Sequence, residues 1–287
     1  MILITAATGH LGNATIDFLL KKNVPASQIA GLVRDEQKAA GISAKGIALR
    51  KGDYYDKPSL QKAFQGIDTL VFISSGDIQN RVHQHENVVN AAKAAGVKHI
   101  IYTSVAKASA TLKFTAGIDH WHTEAMLKQS GIPYTVFRNT FYAEVLPMLF
   151  GGALQSGQWH YTAGDAKVNF ASRLDMAEAI ANVAANPAPH ANKIYEITSG
   201  RSYSFHEIAG IVSQATGKQV SYIPVPLEAL KEGMKQAGVP EAYIPMLVSI
   251  ADSISAGELD VTEDSLEKLL QRKPADLKDY LPKLLNN

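Results

Sequence analysis

MILITAATGHLG, residues 1–12, carries an apolar strand over residues 1–4 straight into a turn of small residues and then into a helix starting near His10. Such a turn lets backbone N–H groups approach a phosphate, while the helix N-terminus adds a partial positive charge. Gly9 and Gly12 supply the close approach and the tight helix–strand packing, and Ala6, Ala7, Thr8, His10 and Leu11 complete the candidate pyrophosphate cradle. The spacing is that of GxxGxxG, with Ala6 where the first glycine belongs. A methyl group at a positive-φ position costs on the order of 1 kcal/mol and crowds the phosphate. A reshaped turn or weakened binding is therefore expected at Ala6. Because the motif opens the first strand–helix unit, it points to a dinucleotide.

Outward from this turn, short apolar runs alternate with helical periodicity, the pattern of βαβ units. Further strands are expected at residues 29–33, 47–49, 69–74, 97–103 and 134–138, mostly apolar throughout, as strands buried on both faces should be. Leu11, Ala14 and Phe18 recur at helical spacing, and Pro58 suits the start of a short helix ending near Gly66. After about residue 150 the pattern loosens into a Gly151-Gly152 pair, strand-like pieces around Trp159 and Val168, a helix from Asp175 and a turn-rich PAPHAN segment. Strands at 193–197 and 219–223 are expected to extend the sheet, and the helical remainder to form a cap. The fold class is α/β: a Rossmann-type doubly wound parallel sheet over residues 1–150, and a smaller, mostly helical lobe over 151–287 that binds substrate.

The 287 residues are 46% hydrophobic and 19% charged, with a net charge of +1, and the cations are spread along the chain. Nucleic-acid and membrane partners are not expected. No cysteine is present, which removes disulfides, thiolate metal sites and thiol redox chemistry, so redox work needs a bound cofactor. With no basic segment followed by an apolar stretch before the first strand, a cytoplasmic location is expected.

Cofactor choice is made at the end of the second strand, where an acid accepts from a ribose 2′-OH or an arginine pairs a 2′-phosphate. Arg34 follows Val33, which favours NADP(H), with NAD(H) possible if Asp35 takes the ribose instead. Asp35 is equally well placed to cap the next helix. Ser74, Ser75 and Gly76 end the fourth strand, and Thr103 and Ser104 the fifth; these small polar residues are placed to line ribose and nicotinamide. After the sixth strand, Asn139 and Tyr142 are placed to donate to a substrate or carboxamide oxygen. His83 and His85 sit two apart on a helix and face different sides, which argues for a solvated helix and no metal. His120 shares a face with Glu124, and is either a proton source or a capping or ion-paired residue. The apolar set Phe141, Leu146, Met148, Leu149 and Phe150 is read first as core.

The ordered segments TAATGHLG, KNVPASQIAGLVR, KGDYYD, VFISS, NVVNAAKAAGVKHIIYTS, SGIPYTVFRNTFY and VNFASRLDMAEA resemble the NmrA-like branch of atypical short-chain dehydrogenase/reductases over most of the chain. Within that branch they are most similar to the bacterial NADPH-dependent quinone oxidoreductase and triphenylmethane-dye reductase group. The resemblance implies NADP(H) in the first turn, Arg34 on its 2′-phosphate, Asp53 by the adenine, a nicotinamide near Asn139, and catalytic positions at Tyr142, His120 and Asn139. It does not bring the Tyr-xxx-Lys pair of ordinary members, since Trp121 and Ala125 stand at those positions. Hydride transfer to quinone-like or aromatic acceptors tolerates that loss, because the anion formed is delocalised. The alternative is a non-catalytic NAD(P)(H) sensor acting on a protein partner, and either a homodimer or a monomer is compatible with the sequence.

Overall fold

The computed structural model describes residues 1–286. Its strands in chain order are β1 (Ile2–Ile4), β2 (Ile29–Val33), β3 (Ala48–Lys51), β4 (Thr69–Phe72), β5 (His99–Val105), β6 (Tyr134–Asn139), β7 (Phe141–Tyr142), β8 (Gln158–Tyr161), β9 (Lys167–Ala171), β10 (Lys193–Ile197), β11 (Ser202–Ser204) and β12 (Ser221–Pro224). Seven of them form one parallel sheet in the order β10-β6-β5-β4-β1-β2-β3. Ile2 lies opposite both Ile29 and Thr69, so β1 and β4 are neighbours at the point where strand order reverses. The doubly wound, Rossmann-like sheet expected from the sequence is thus present, and its reversal leaves a crevice beyond the carboxyl ends of β1 and β4.

Burial explains why the central strands are almost wholly apolar. All of β2 and β4 is buried, and Leu3 and Ile4 of β1 are inaccessible to solvent. Leu3, Leu32, Leu70, Phe72, Val88, Ile100 and Val136 share one core with Leu60 of the helix at Lys57–Ala63 and Phe64 just beyond its end. The helix His10–Lys21 buries Leu11, Gly12, Thr15, Ile16 and Leu19. Its inward stripe is rotated from the expected Leu11, Ala14 and Phe18, because the tight contact at Gly12 turns that face toward the sheet. Asp56 caps the Lys57–Ala63 helix by accepting from the Ser59 N–H, with Pro58 in its first turn.

The chain divides into two compact units built from separated segments, where one boundary near residue 150 was expected. The first comprises Met1–Val105, Asp119–Arg138 and Leu174–Tyr195, and the second Ala106–Ile118, Asn139–Arg173 and Glu196–Asn287. Residues of β10 do extend the main sheet, but β12 does not. It pairs in parallel with β8, because Tyr222 belongs to an aromatic core in the second unit. There Phe205 lies 4.8 Å from both the Trp159 and Tyr161 rings and 5.4 Å from Tyr222. The Trp159 indole N–H donates to the Leu149 carbonyl at 2.9 Å. The helical remainder consists of Leu227–Gln236, Ile244–Ser255, Ser265–Leu270 and Leu277–Leu285. Leu146, Leu149 and Phe150 pack in this core as expected, whereas Met148 is 82% exposed. Among the described residues, no helix is long and apolar enough to cross a membrane.

A Cβ on Gly12 would lie 2.4 Å from the Ala6 carbonyl oxygen, a backbone atom with no rotamer to change. Gly12→Ala should therefore lower the unfolding free energy by about 1–3 kcal/mol, as overpacking does. Urea unfolding of the purified variant against the parent chain measures this.

Candidate active site

Beyond β1 the chain turns at Ala6 with φ of 46°, the left-handed conformation expected to burden a residue bearing a Cβ. The turn closes through a hydrogen bond from the Gly9 N–H to the Ala6 carbonyl at 2.9 Å, and Gly9 stands at the N-cap of the helix. Ala6, Thr8 and Gly9 line a cleft of about 450 Å³, whereas Ala7, Leu11 and Gly12 are buried beneath it and set the packing distance. His10 is exposed as the first residue of the helix. The free N–H groups of that first helical turn are the unsatisfied donors that favour an anion.

Arg34, Asp53, Ser74, Ser75 and Gly76 line the same cleft, so most of the residues nominated for cofactor binding converge in the first unit. Arg34 is exposed, with no hydrogen-bond or ion-pair partner among the described residues. Asp35 is occupied locally, accepting from the Gln37 N–H at 2.9 Å, but it is not the cap expected from the sequence, since Glu36 stands at the N-terminus of the next helical turn. Asp53 accepts from the Tyr55 N–H and is held by the Ser59 hydroxyl, which accepts from its N–H. Tyr54, not singled out from the sequence, donates to the Ile73 carbonyl at 2.7 Å and contacts the Thr5 hydroxyl at 2.5 Å. It ties the loop after β3 to the ends of β1 and β4. Across the same cleft the Tyr55 hydroxyl donates to Asp77, whose carboxyl is held down at about 2 by this bond and by the Asn80 and Gln79 N–H groups.

Ser75 is held at both ends of its backbone. Its N–H donates to His85 Nε2 at 3.0 Å, and its carbonyl accepts from Arg81 Nε at 3.0 Å. Both of these supports, the His85 acceptor and the Arg81 donor, lie on the helix Arg81–Ala94. Arg81 also pairs with Asp119 at 2.9 Å. The Thr123 hydroxyl gives its proton to the Asp119 carbonyl, so its oxygen must accept from His85 Nδ1, 2.8 Å away. His85 is therefore neutral, with its proton on Nδ1 and the Nε2 lone pair on Ser75. Thr103 acts similarly on the neighbouring residue, its Oγ1 accepting from the Ser74 N–H at 2.9 Å.

This corrects the expectation of a solvated helix face at His85, which is completely buried against Phe72 and Tyr102. Two histidines at i, i+2 do face different sides, but only His83 takes the outward one. His120 is buried too, its Nδ1 2.6 Å from the Tyr102 hydroxyl. Burial, aided by the Arg81 charge, pushes its pKa down to about 3. Glu124, one turn on, accepts from the Ser104 hydroxyl at 2.7 Å and from Arg138 through Nε at 2.9 Å and Nη2 at 2.7 Å. Trp121 and Ala125, at the positions of the missing Tyr-Lys pair, offer no acid, and Trp121 is 38% exposed.

Asn139 and Tyr142 are brought together in the second unit. The Asn139 amide is fully buried with neither end forming a well-made hydrogen bond. Burial raises the Tyr142 phenol, while the Arg173 charge and the Asn139 amide beside it act the other way. Arg173 lies over the Tyr142 ring at 4.9 Å.

The model of the NmrA-like family matches residues 1–281. The chain belongs to this family. It is 38% identical over 286 residues to quinone oxidoreductase 2 of Escherichia coli strain K12, covering 100% of this chain and 99% of that protein. The structure of the NADPH-dependent quinone oxidoreductase QOR2 from E. coli in complex with NADPH matches it with a TM-score of 0.95 over 100% of both chains. Triphenylmethane reductase of Citrobacter sp. in complex with NADP(H) matches with a TM-score of 0.91 and 39% identity, over 99% of this chain and 100% of that one.

Three buried histidines, His85, His99 and His120, fix a pH dependence. Burial lowers the pKa of all three, His85 well below the ordinary value, His99 to about 4 and His120 to about 3. Unfolding releases them to about 6.5, so below that pH the unfolded chain binds more protons and stability falls. Each should add about 1.4 kcal/mol of lost stability per pH unit as the pH drops from about 6.5 toward its folded value. Urea unfolding at pH 7 and pH 5 should show this loss. His120→Gln, which keeps an amide in place of the ring, should remove about a third of it.

Proposed function

We propose that the chain is an NADPH-dependent reductase of quinone-like or aromatic acceptors. The observation that carries this reading is the unpartnered Arg34 guanidinium at the end of β2, opening on a cleft whose other wall is the Ala6–Gly9 turn. A guanidinium at that place matches a ribose 2′-phosphate, and the turn and helix N-terminus match a pyrophosphate. The space is consistent with such a group, since both glycines of the turn sit where a Cβ would meet the Ala6 carbonyl, at 3.2 Å for Gly9 and 2.4 Å for Gly12. Similarity to reductases along the whole chain supports the same reading.

The reduced nicotinamide supplies a hydride when bound. The chain's own residues bind, orient and shape. Arg34 selects the phosphorylated ribose, Asp53 with Tyr54 borders the adenine side, and the Ser74, Ser75 and Gly76 backbone, fixed by His85, Arg81 and Thr103, borders the ribose side. Asn139 takes the carboxamide, for which its buried amide has both a free donor and a free acceptor. Tyr142 orients the acceptor. His120 holds the Tyr102 hydroxyl and so supports the cleft from behind, without giving a proton at neutral pH. With neither Tyr nor Lys at residues 121 and 125, the acceptor must yield a product that needs no protein acid. A quinone, giving a delocalised anion protonated by water, and a carbocation dye, simply neutralised, both meet that condition.

The test is NADPH oxidation by the purified chain with benzo- and naphthoquinones and a triphenylmethane dye, NADH alongside, and NADPH binding measured in the same preparation. Turnover preferring NADPH is expected, whereas tight binding without turnover would turn the reading to a cofactor sensor. Arg34→Ala should weaken NADPH binding about 10–100-fold, the scale of a lost charge-assisted bond of ~1.5–3 kcal/mol. NADH binding should change less than about threefold on the same scale. Equal losses would remove the 2′-phosphate role.

A further inference from the structure

Around Tyr142 the second unit holds a cation whose purpose the fold does not explain. Arg173 begins the helix Arg173–Ala185, and its backbone N–H is capped by both Glu144 oxygens at 3.0 and 3.2 Å. The Tyr280 hydroxyl donates a further bond to Glu144 at 2.8 Å. Glu144 is thereby committed to the helix N-terminus and to Tyr280, and it makes no ion pair with the Arg173 side chain. The guanidinium, half-buried, has no hydrogen-bond or ion-pair partner among the described residues. It lies over the Tyr142 ring, where its charge lowers the phenol's pKa and the Glu144 charge raises it. The ring face offsets part of the guanidinium's desolvation, and its N–H groups stay free to meet a group that becomes anionic.

Resting on the reductase reading, we infer that Arg173 is a specificity-determining residue that favours acceptors becoming anionic during reduction and disfavours cationic ones. With a quinone, hydride transfer moves one hydrogen nucleus and two electrons from the nicotinamide to the acceptor. The cofactor is oxidised, and a hydroquinone monoanion forms that takes its proton from water. Negative charge thus develops on the acceptor oxygen, where Tyr142 donates a hydrogen bond and Arg173 supplies the field. With a triphenylmethane cation the same hydride neutralises a positive charge, so a guanidinium beside it opposes binding of the cationic acceptor and gives its reduction no stabilisation. One residue thereby acts with opposite sign on two acceptor classes, which a purely structural role would not do.

The experiment compares 1,4-naphthoquinone and malachite green as acceptors for the wild type, Arg173→Gln and Arg173→Lys, with NADPH binding and circular dichroism recorded for each. For Arg173→Gln the quinone kcat should fall about 10–100-fold, as for a lost anion-stabilising donor, with its KM changed less than about threefold. The dye kcat/KM should rise several-fold, NADPH binding should hold, and Arg173→Lys should recover much of the quinone rate. Arg173→Met, which keeps the aliphatic stem over the ring, serves the same comparison if the Gln variant does not fold. Equal losses on both acceptors, or an unchanged quinone rate, would overturn the inference while leaving the reductase reading intact. No turnover by the wild type with either acceptor would overturn both.

Discussion

The close approach of Gly12 to the Ala6 carbonyl is the constraint on which the cleft depends. A side chain at residue 12 would stand 2.4 Å from a backbone oxygen, so the first helix can lie this near the turn only because that carbon is absent. A second missing carbon continues the contact, since a Cβ on Gly31 of β2 would lie 2.9 Å from Ala7 Cβ. Together they fix the turn at Ala6 and Ala7 against both the first helix and β2. The left-handed Ala6 is the strained element in this arrangement, stabilised by the bond from the Gly9 N–H to its carbonyl. Strain of about 1 kcal/mol persists where surrounding packing over-determines a turn.

Opposite that turn the same cleft is held by polar groups instead of close packing. Ser74 and Ser75 carry no bulk that could fix them, so their backbone is fixed by Thr103, His85 and Arg81. Those supports are oriented in turn by Thr123 and Asp119. Each proton in the chain of bonds has one place to go, which leaves a single tautomer for His85. Buried polar networks of this sort specify geometry when fully satisfied and are expensive when one member is lost. The wall of the cleft thus depends on helix residues that never reach it.

Local signals in the sequence carried the first half of the fold well. The apolar run of β2 was read to the residue, and the turn at residues 6–12 and the Arg34 position followed from spacing alone. Signals that depend on a distant partner were not legible. His85 looks solvated because its neighbours His83 and Glu86 are polar, and its burial follows from Phe72 and Tyr102, which lie elsewhere in the chain. The strand at Ser221–Pro224 has the composition of a sheet extension, yet its pairing is set by where the Tyr222 ring finds an aromatic core. Arg173 gave no signal at all, since nothing in a sequence distinguishes an unpaired arginine from one in an ion pair.

These features bear jointly on what the proposed site can do. The helix that carries the acid in ordinary short-chain reductases here directs His120 to Tyr102 and Glu124 to Arg138, so its polar residues maintain structure. A carbonyl whose reduced product is a basic alkoxide would find no proton there. What the chain offers instead is fixed charge and hydrogen-bond donors: the Arg34 guanidinium at one cleft, and the Arg173 guanidinium beside Tyr142 in the other unit. Fixed charge stabilises an anion without having to transfer anything to it, and it does so most effectively where water is partly excluded. A scaffold arranged this way is suited to acceptors that carry their own charge delocalisation, and the acceptor's intrinsic electron affinity, more than acid catalysis, then sets which compounds it can reduce.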